Sequence, residues 1–479
     1  MTDDRYRSPL GTRYASPAMQ ALWGEPHRIG LWRRLWLALA EAESELGIPV
    51  PAGALAEMRA HLDDADLAAA AQYERRFRHD VMAHVHQFGD QAPAARPWLH
   101  LGATSAFVTD NADLIVLREG MQLILGRVLA LLSALEAKAL QSRAVPCLAY
   151  THFQPAQLTT VGKRMTLWMQ DFAIDAEDLS GRIGALRFRG CQGTTGTQAS
   201  FLELFHGDHA KVRELERRVT ARLGFAEQFA VTGQTYPRKA DSQVLDALSG
   251  VAQSAAKMAH DLRLLQHEGE LLEPFESEQI GSSAMAYKRN PMRAERIGAL
   301  ARFVISLQAN GAHTAAAQWL ERTLDDSANR RLTLPEAFLA TDAILVLATN
   351  IAAGLEVREA VIGRHVREQM PFMATERWLM LAVEQGGDRQ ALHEVIRRHS
   401  LAAADQVAAG GANDLMERLS ADPAFKKIPV ARLSAELEPA RYTGRAAEQV
   451  GEFLDEFLAP LLDRVRPLAT TAPMAEVRV

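Results

Sequence analysis

The chain has 479 residues, 48% of them apolar, and a formal net charge of −6. That length exceeds one simple core and points to two or three domains, while the negative balance sets nucleic acid aside as a default partner. With only Cys147 and Cys191 there is neither a disulfide framework nor a zinc set, and no run of 18 uninterrupted apolar residues suggests a membrane span.

At the N-terminus, Met1-Thr2-Asp3-Asp4-Arg5 lacks the apolar core of a signal peptide, so a reduced cytoplasm is the expected location. The segment to about residue 104 reads as short helices. Arg28 to Leu46 spaces Leu31, Leu35, Leu39 and Ala42 helically and ends at Gly47 and Pro49; Ala52 to Ala71 predicts a weaker helix. In Arg78-His79-Asp80-Val81-Met82-Ala83-His84-Val85-His86, His79 and His86 can share a helical face. His84 lies off that face and no Cys or Glu completes a ligand pattern, so no metal is expected. Next, His100-Leu101-Gly102-Ala103-Thr104-Ser105, followed by Asp110-Asn111, puts two hydroxyls at a turn near a helix start. They can donate to an anion there, or simply cap the helix.

The middle of the chain differs. From Asp113 to Gln141, apolar residues at Leu114, Leu117, Met121, Ile124, Val128, Leu131 and Leu135 predict an unbroken helix of roughly 45 Å. Similar lengths run from Pro155 to about Leu186, Lys239 to Leu272, Met292 to about Leu320 and Pro335 to about Gly354, which points to an extended bundle. Ala337 to Leu347 is apolar on more than one face, a surface that other subunits commonly cover, so an oligomer is expected. Strand alternation of useful length is absent, although Gly190 to Ser200 and Phe225 to Thr235 read as extended. Beyond about residue 357 the helices shorten (Ala374 to Gly386, Asp388 to Leu401, Gly444 to Leu462), with a loose tail from Thr470.

Two polar stretches interrupt this pattern. Tyr150-Thr151-His152-Phe153-Gln154-Pro155-Ala156-Gln157 sets His152 just ahead of Pro155, which is expected to open a long helix. A histidine held there can act as general acid or base, or merely cap the helix. Glu273-Pro274 stops a helical pattern, and Gly281-Ser282-Ser283-Ala284-Met285-Ala286-Tyr287-Lys288-Arg289-Asn290-Pro291 follows as a loop before the next helix. Gly281 allows a bend and Pro291 suits a first helical position. Serine and lysine on such a loop suit a catalytic lid; a solvated connector is the bland alternative.

This loop resembles the signature of the fumarase/aspartase superfamily, G-S-S-x-M-P-x-K-x-N-P, with Ala286 in place of the family's proline. With Arg78 to His86, Leu99 to Ser105, Thr151 to Gln157, Gly193-Thr194-Thr195-Gly196-Thr197-Gln198-Ala199-Ser200 and Arg322-Thr323-Leu324-Asp325-Asp326-Ser327-Ala328-Asn329-Arg330-Arg331, the resemblance spans essentially the whole chain. It narrows to the animal-type branch of the adenylosuccinate lyases. The resemblance implies an all-α, three-domain fold: an N-terminal helical domain (1–104), a central long-helix bundle (105–357) and a C-terminal helical domain (358–479). In that family the bundle builds a tetrameric helical core, and the active sites are shared between subunits. The implied reaction is β-elimination of fumarate from adenylosuccinate, giving AMP, and from SAICAR, giving AICAR, without metal or organic cofactor.

On the matched positions, Ser282 would be the base, with Lys288 stabilising its anion, and His152 the acid, oriented by Glu295. His79 is a second candidate for the acid. Thr104, Ser105, Lys288 and Asn290 would donate to the developing dianionic carboxylate. Arg13, Tyr14, Arg78, Asp80, Gln234, Arg296, Arg322, Ser327 and Arg331 fall on substrate positions, and the arginines suit a small molecule bearing a phosphate and two carboxylates. The Gly193 to Gly196 segment lacks the Gly-Lys-Ser/Thr ending of a phosphate-binding loop. Two alternatives stand beside this reading. Another lyase of the superfamily, of argininosuccinate lyase or fumarase type, would share Ser282 and His152 without needing the phosphate arginines. A non-catalytic structural protein of the same fold would show a lost serine or histidine.

Overall fold

The computed structural model describes residues 6–471, 473 and 477; the opening Met1 to Arg5 lies outside them. Helices dominate, and five long ones form a central bundle: Ser105–Gln141, Val161–Ala185, Lys239–His267, Met292–Ala317 and Asp325–Gly354. Lys239–His267 lies along Met292–Ala317, which lies along Asp325–Gly354, and Ser105–Gln141 packs on both Val161–Ala185 and Asp325–Gly354. Leu117, Ile124, Phe172, Leu248, Ile297, Phe338 and Ile344 are fully buried in one shared core. Met19 from near the start and Val450, Leu458 and Val465 from near the end join it, so both ends of the chain close on the middle. Separate apolar clusters gather around Trp36, Phe88 and Leu215, and around Trp378, Leu415 and Phe425.

Several expectations are corrected. The predicted Ala52 to Ala71 helix is two, Ala52–Ala60 and Leu67–Phe77, because Asp66 caps the second by accepting the Ala69 N–H at 2.9 Å. Pro155 does not open a helix. It lies in an antiparallel hairpin, Pro146–Thr151 with Gln154–Thr160, and the helix starts at Val161, where Thr160 caps it. A second small pair joins Leu271–Leu272 to Glu356–Val357, so the Lys239 helix stops at His267. Pro335 likewise starts nothing. Its helix begins at Asp325, with Asp325 and Asp326 complementing the positive end of the helix dipole.

That helix is long and apolar enough to cross a membrane, yet most of its apolar stretch is buried inside this chain. Ala337, Phe338, Ala340, Ile344 and Leu345 are all covered by neighbouring helices, so the surplus face expected to need another subunit is satisfied internally. Exposed apolar residues occur elsewhere on the bundle, at Leu167, Ile174, Leu264 and Ile305. Of the tail expected to be loose from Thr470, two described residues bond to Ser105–Gln141: the Thr470 N–H donates to the Gln122 carbonyl, and Arg127 Nη1 to the Pro473 carbonyl, both at 2.9 Å; residues 472, 474–476 and 478–479 lie outside the described residues.

Candidate active site

Three bundle helices begin close together, at Ser105, Lys239 and Asp325, and the first polar constellation sits there. His79 is the residue before the Asp80–Gln91 helix, with Nδ1 accepting the Met82 N–H at 3.3 Å and Nε2 lying 3.4 Å from Ser105 Oγ. His79 therefore stands outside the helix that carries His84 and His86, and the three do not converge. His84 is buried edge-on against Trp32, where desolvation and then Arg28 and Arg33 push its pKa down to about 4; His86 stacks on Tyr73. Thr104 holds the cap position of its helix, and its hydroxyl makes no capping bond among the described residues. Arg78 ends the preceding helix in a left-handed conformation, φ 55°. Arg331 reaches Asp80 at 3.6 Å, and Arg322 reaches Asp326 at 2.8 Å. Gln234 donates to the Thr194 carbonyl at 3.1 Å, and the Ser327 N–H to the Leu324 carbonyl at 3.1 Å. One chain thus gathers Arg78, His79, Asp80, Thr104, Ser105 and Arg331, with Gln234, Arg322 and Ser327 alongside.

The second constellation is the loop before Met292–Ala317. Its stem is clamped by Glu273, whose carboxylate accepts the N–H groups of Arg293 and Ala294 at 3.0 and 3.1 Å; burial nevertheless holds that carboxyl above the ordinary range. Buried Arg293 ties back to the Pro274 carbonyl at 2.5 Å and to Glu276 at 2.7 Å. At the centre, Ser282 Oγ accepts two backbone N–H groups, Ala284 at 3.3 Å and Met285 at 3.2 Å. The Lys288 N–H closes a turn on the Met285 carbonyl at 3.0 Å, and Asn290 Nδ2 donates to the Gly281 carbonyl at 2.8 Å. Gly281 matters for close approach rather than for a bend, because a Cβ there would collide with the Lys288 carbonyl. Pro291 sits one residue before the helix, and Glu295 is exposed on its first turn. Glu295 lines a cleft of about 560 Å³ with His260, Arg263, His267 and Arg289. The Arg296 guanidinium lies over the Tyr14 ring at 5.4 Å. Arg13 is exposed beside Tyr14 in the Leu10–Tyr14 turn, which is anchored where the Ser16 N–H donates to Asp342 at 2.7 Å.

The third is the hairpin tip. His152 and Phe153, with φ 52° and 60°, occupy the two turn positions in left-handed conformation, which is costly for side chains that lack an Asn or Gly's tolerance. The turn presents His152 to solvent above a cavity of about 570 Å³ lined by Tyr150, Phe153, Arg164 and His365. Among the described residues no hydrogen bond or ion pair joins His152 to Glu295, Ser282 or His79, so the expected His152–Glu295 contact is not made within one chain.

Beneath the first constellation lies a buried charge network that sequence reading missed. Arg330 bonds Asp241, Asp113 and the Tyr236 hydroxyl at 2.7, 2.9 and 2.5 Å. Arg238 bonds Asp110 and Asp326. Burial opposes these charges, but the surrounding carboxylates hold both guanidinium pKa values above the ordinary one. Asn111 is equally hidden, accepting the Arg189 and Gly190 N–H groups at 3.0 and 3.1 Å. The only available signal was the density of Asp and Arg in Asp110-Asn111 and Asp325 to Arg331.

A family model described as "Lyase" matches residues 38–306, and one described as "Adenylosuccinate lyase C-terminus" matches 371–453. Adenylosuccinate lyase of Saccharomyces cerevisiae is 50% identical, with 95% of each chain covered, and that of Schistosoma mansoni is 46% identical, with 96% of each covered. Among solved structures, 3-carboxy-cis,cis-muconate lactonizing enzyme from Pseudomonas putida shares the fold with a TM-score of 0.80 at 23% identity, covering 95% of this chain and 98% of its own.

Proposed function

The chain belongs to the adenylosuccinate lyase family, and we propose that it releases fumarate by β-elimination from adenylosuccinate, giving AMP, and from SAICAR, giving AICAR. The observation that carries the chemistry is the pair of backbone N–H groups aimed at Ser282 Oγ. A serine hydroxyl is a weak acid, and donors already in place stabilise its anion at no further cost in reorganisation. In the proposed step Ser282 Oγ takes a proton from the carbon beside a carboxylate. The freed pair forms the C=C bond of fumarate, the C–N bond breaks, and His152 protonates the departing nitrogen, with His79 as the alternative donor. Lys288 supports the Ser282 anion and Glu295 orients His152. Thr104, Ser105, Lys288 and Asn290 receive the carboxylate charge. Arg13, Tyr14, Arg78, Asp80, Gln234, Arg296, Arg322, Ser327 and Arg331 hold the remaining anionic and polar groups. Side chains supply the acid and the base in this scheme, with the backbone N–H groups of Ala284 and Met285 supporting Ser282, and it calls for no metal or organic cofactor.

Among the described residues no hydrogen bond or ion pair joins His152, Ser282 and His79 in one chain, which favours a homotetramer whose sites are shared between subunits. The division at 1–104, 105–357 and 358–479, and a cytoplasmic setting, belong to the same proposal. The test is fumarate release from adenylosuccinate and, separately, argininosuccinate, without added metal. Release from adenylosuccinate alone is expected; release from argininosuccinate instead, or from neither, overturns the reading.

A further inference from the structure

We infer that Asp326 is a positioning residue for Arg322, held in register by Arg238 and Asp110, and that this buried chain aims a two-donor edge of Arg322 at an anionic group of the substrate. The inference rests on the lyase reading above and names how one of its anion sites is built. Asp326 is 1% exposed; its Oδ1 accepts Arg322 Nη1 at 2.8 Å and its Oδ2 accepts Arg238 Nε at 2.7 Å. Arg238, also buried, is committed through both terminal nitrogens to the two oxygens of Asp110, at 3.1 and 3.2 Å. Asp110 in turn accepts the Tyr236 N–H at 3.0 Å.

Each carboxylate in this chain is shared, so turning any one of them would strand a charge away from water. The effect is felt at Arg322, whose side chain is 27% exposed. Both of its protein bonds, to Asp326 and to the Thr323 carbonyl, leave from Nη1. Its Nε and Nη2 carry no bond among the described residues, and these two donors form the fork that meets a carboxylate or phosphate in bidentate fashion. The same chain ties together the starts of the Ser105, Lys239 and Asp325 helices, so Arg322 is registered against Thr104 and Ser105.

Steady-state fumarate release by Asp326→Asn tests this. We expect KM for adenylosuccinate to rise about tenfold or more with kcat within about threefold. A merely structural role would lower the active fraction and the melting temperature without moving KM. In an Arg322→Lys background, Asp326→Asn should add little further rise, because its effect is transmitted through the guanidinium that is already gone. Asp110→Asn, one link further away, should raise KM less, and it serves as the readout if Asp326→Asn does not fold. An active wild type with unchanged KM in the soluble variants, or full additivity with Arg322→Lys, overturns the inference alone. A wild type that releases no fumarate overturns the lyase reading and the inference with it.

Discussion

Glu43 sits fully buried in the Glu25–Glu45 helix, with neither carboxyl oxygen hydrogen-bonded to the described residues. Desolvation alone pushes its pKa from 4.5 up to about 9. Between those values the folded chain keeps a proton that the unfolded chain has released. The group's contribution to stability is therefore complete below about pH 4.5 and is lost as pH rises through 9. Glu43→Gln removes this dependence. Denaturation at two pH values should show the variant more stable than wild type by about 1–4 kcal/mol at pH 8, with the difference shrinking toward pH 4.5. An advantage that does not change with pH would mean that Glu43 does not titrate in this range.

Ser282 presents the opposite situation, a side chain that is weak by itself and strengthened by its loop. Ser282→Ala is expected to lower kcat by about 10³-fold or more while substrate still binds, measured by turnover alongside calorimetric titration. Near-normal turnover would place the base elsewhere. The identity of Ser282 was legible in the sequence because the motif is long and polar. The convergence of the Ala284 and Met285 N–H groups on its oxygen was not, since it depends on the backbone path.

At the scale of elements, the turn closed by Met285 and Lys288 puts Ala286 at its second position, where proline's fixed φ is favoured. This explains why the family's proline and this alanine can occupy one site. Ala286→Pro should leave fold stability within about 1 kcal/mol and change turnover only modestly. A collapse of activity, seen in the same fumarate assay with an intact circular dichroism spectrum, would mean that the loop takes another path when it works.

The hairpin is the element that sequence reading lost. Pro155 followed by a long apolar pattern reads as a helix start, but the strands from Pro146 and Gln154 pair instead. A tight hairpin usually declares itself through Asn-Gly, and here the turn is His152-Phe153. A strained pair in that position is the kind of local inconsistency that accompanies a functional site.

For the whole molecule, no hydrogen bond or ion pair among the described residues joins His152 to Ser282 or His79 within one chain, so the proposed shared site is tested by how the chain assembles. A native mass near four times 52.7 kDa is expected by sedimentation. Ser282→Ala and His152→Ala, each inactive alone, should regain about one quarter of wild-type activity when equal amounts are reassembled, because half of the subunits supply each intact group. Mixed tetramers without activity would show that these two residues do not meet across an interface.

The five long helices were legible from periodicity, since a core that buries one stripe of each helix imprints a 3.6-residue repeat on the sequence. The family was legible too, in polar motifs that burial does not require. Tertiary structure alone decided where Pro335 and Pro155 would lie, that the Ala337 to Leu347 surface is covered within its own chain, and that Asp110, Arg238 and Asp326 form one buried chain. The physical reason is that periodicity records which face of an element is apolar, whereas the partner of a buried charge, or the neighbour covering an apolar face, is set by other segments, 88 residues apart for Arg238 and Asp326 and 128 for Arg238 and Asp110.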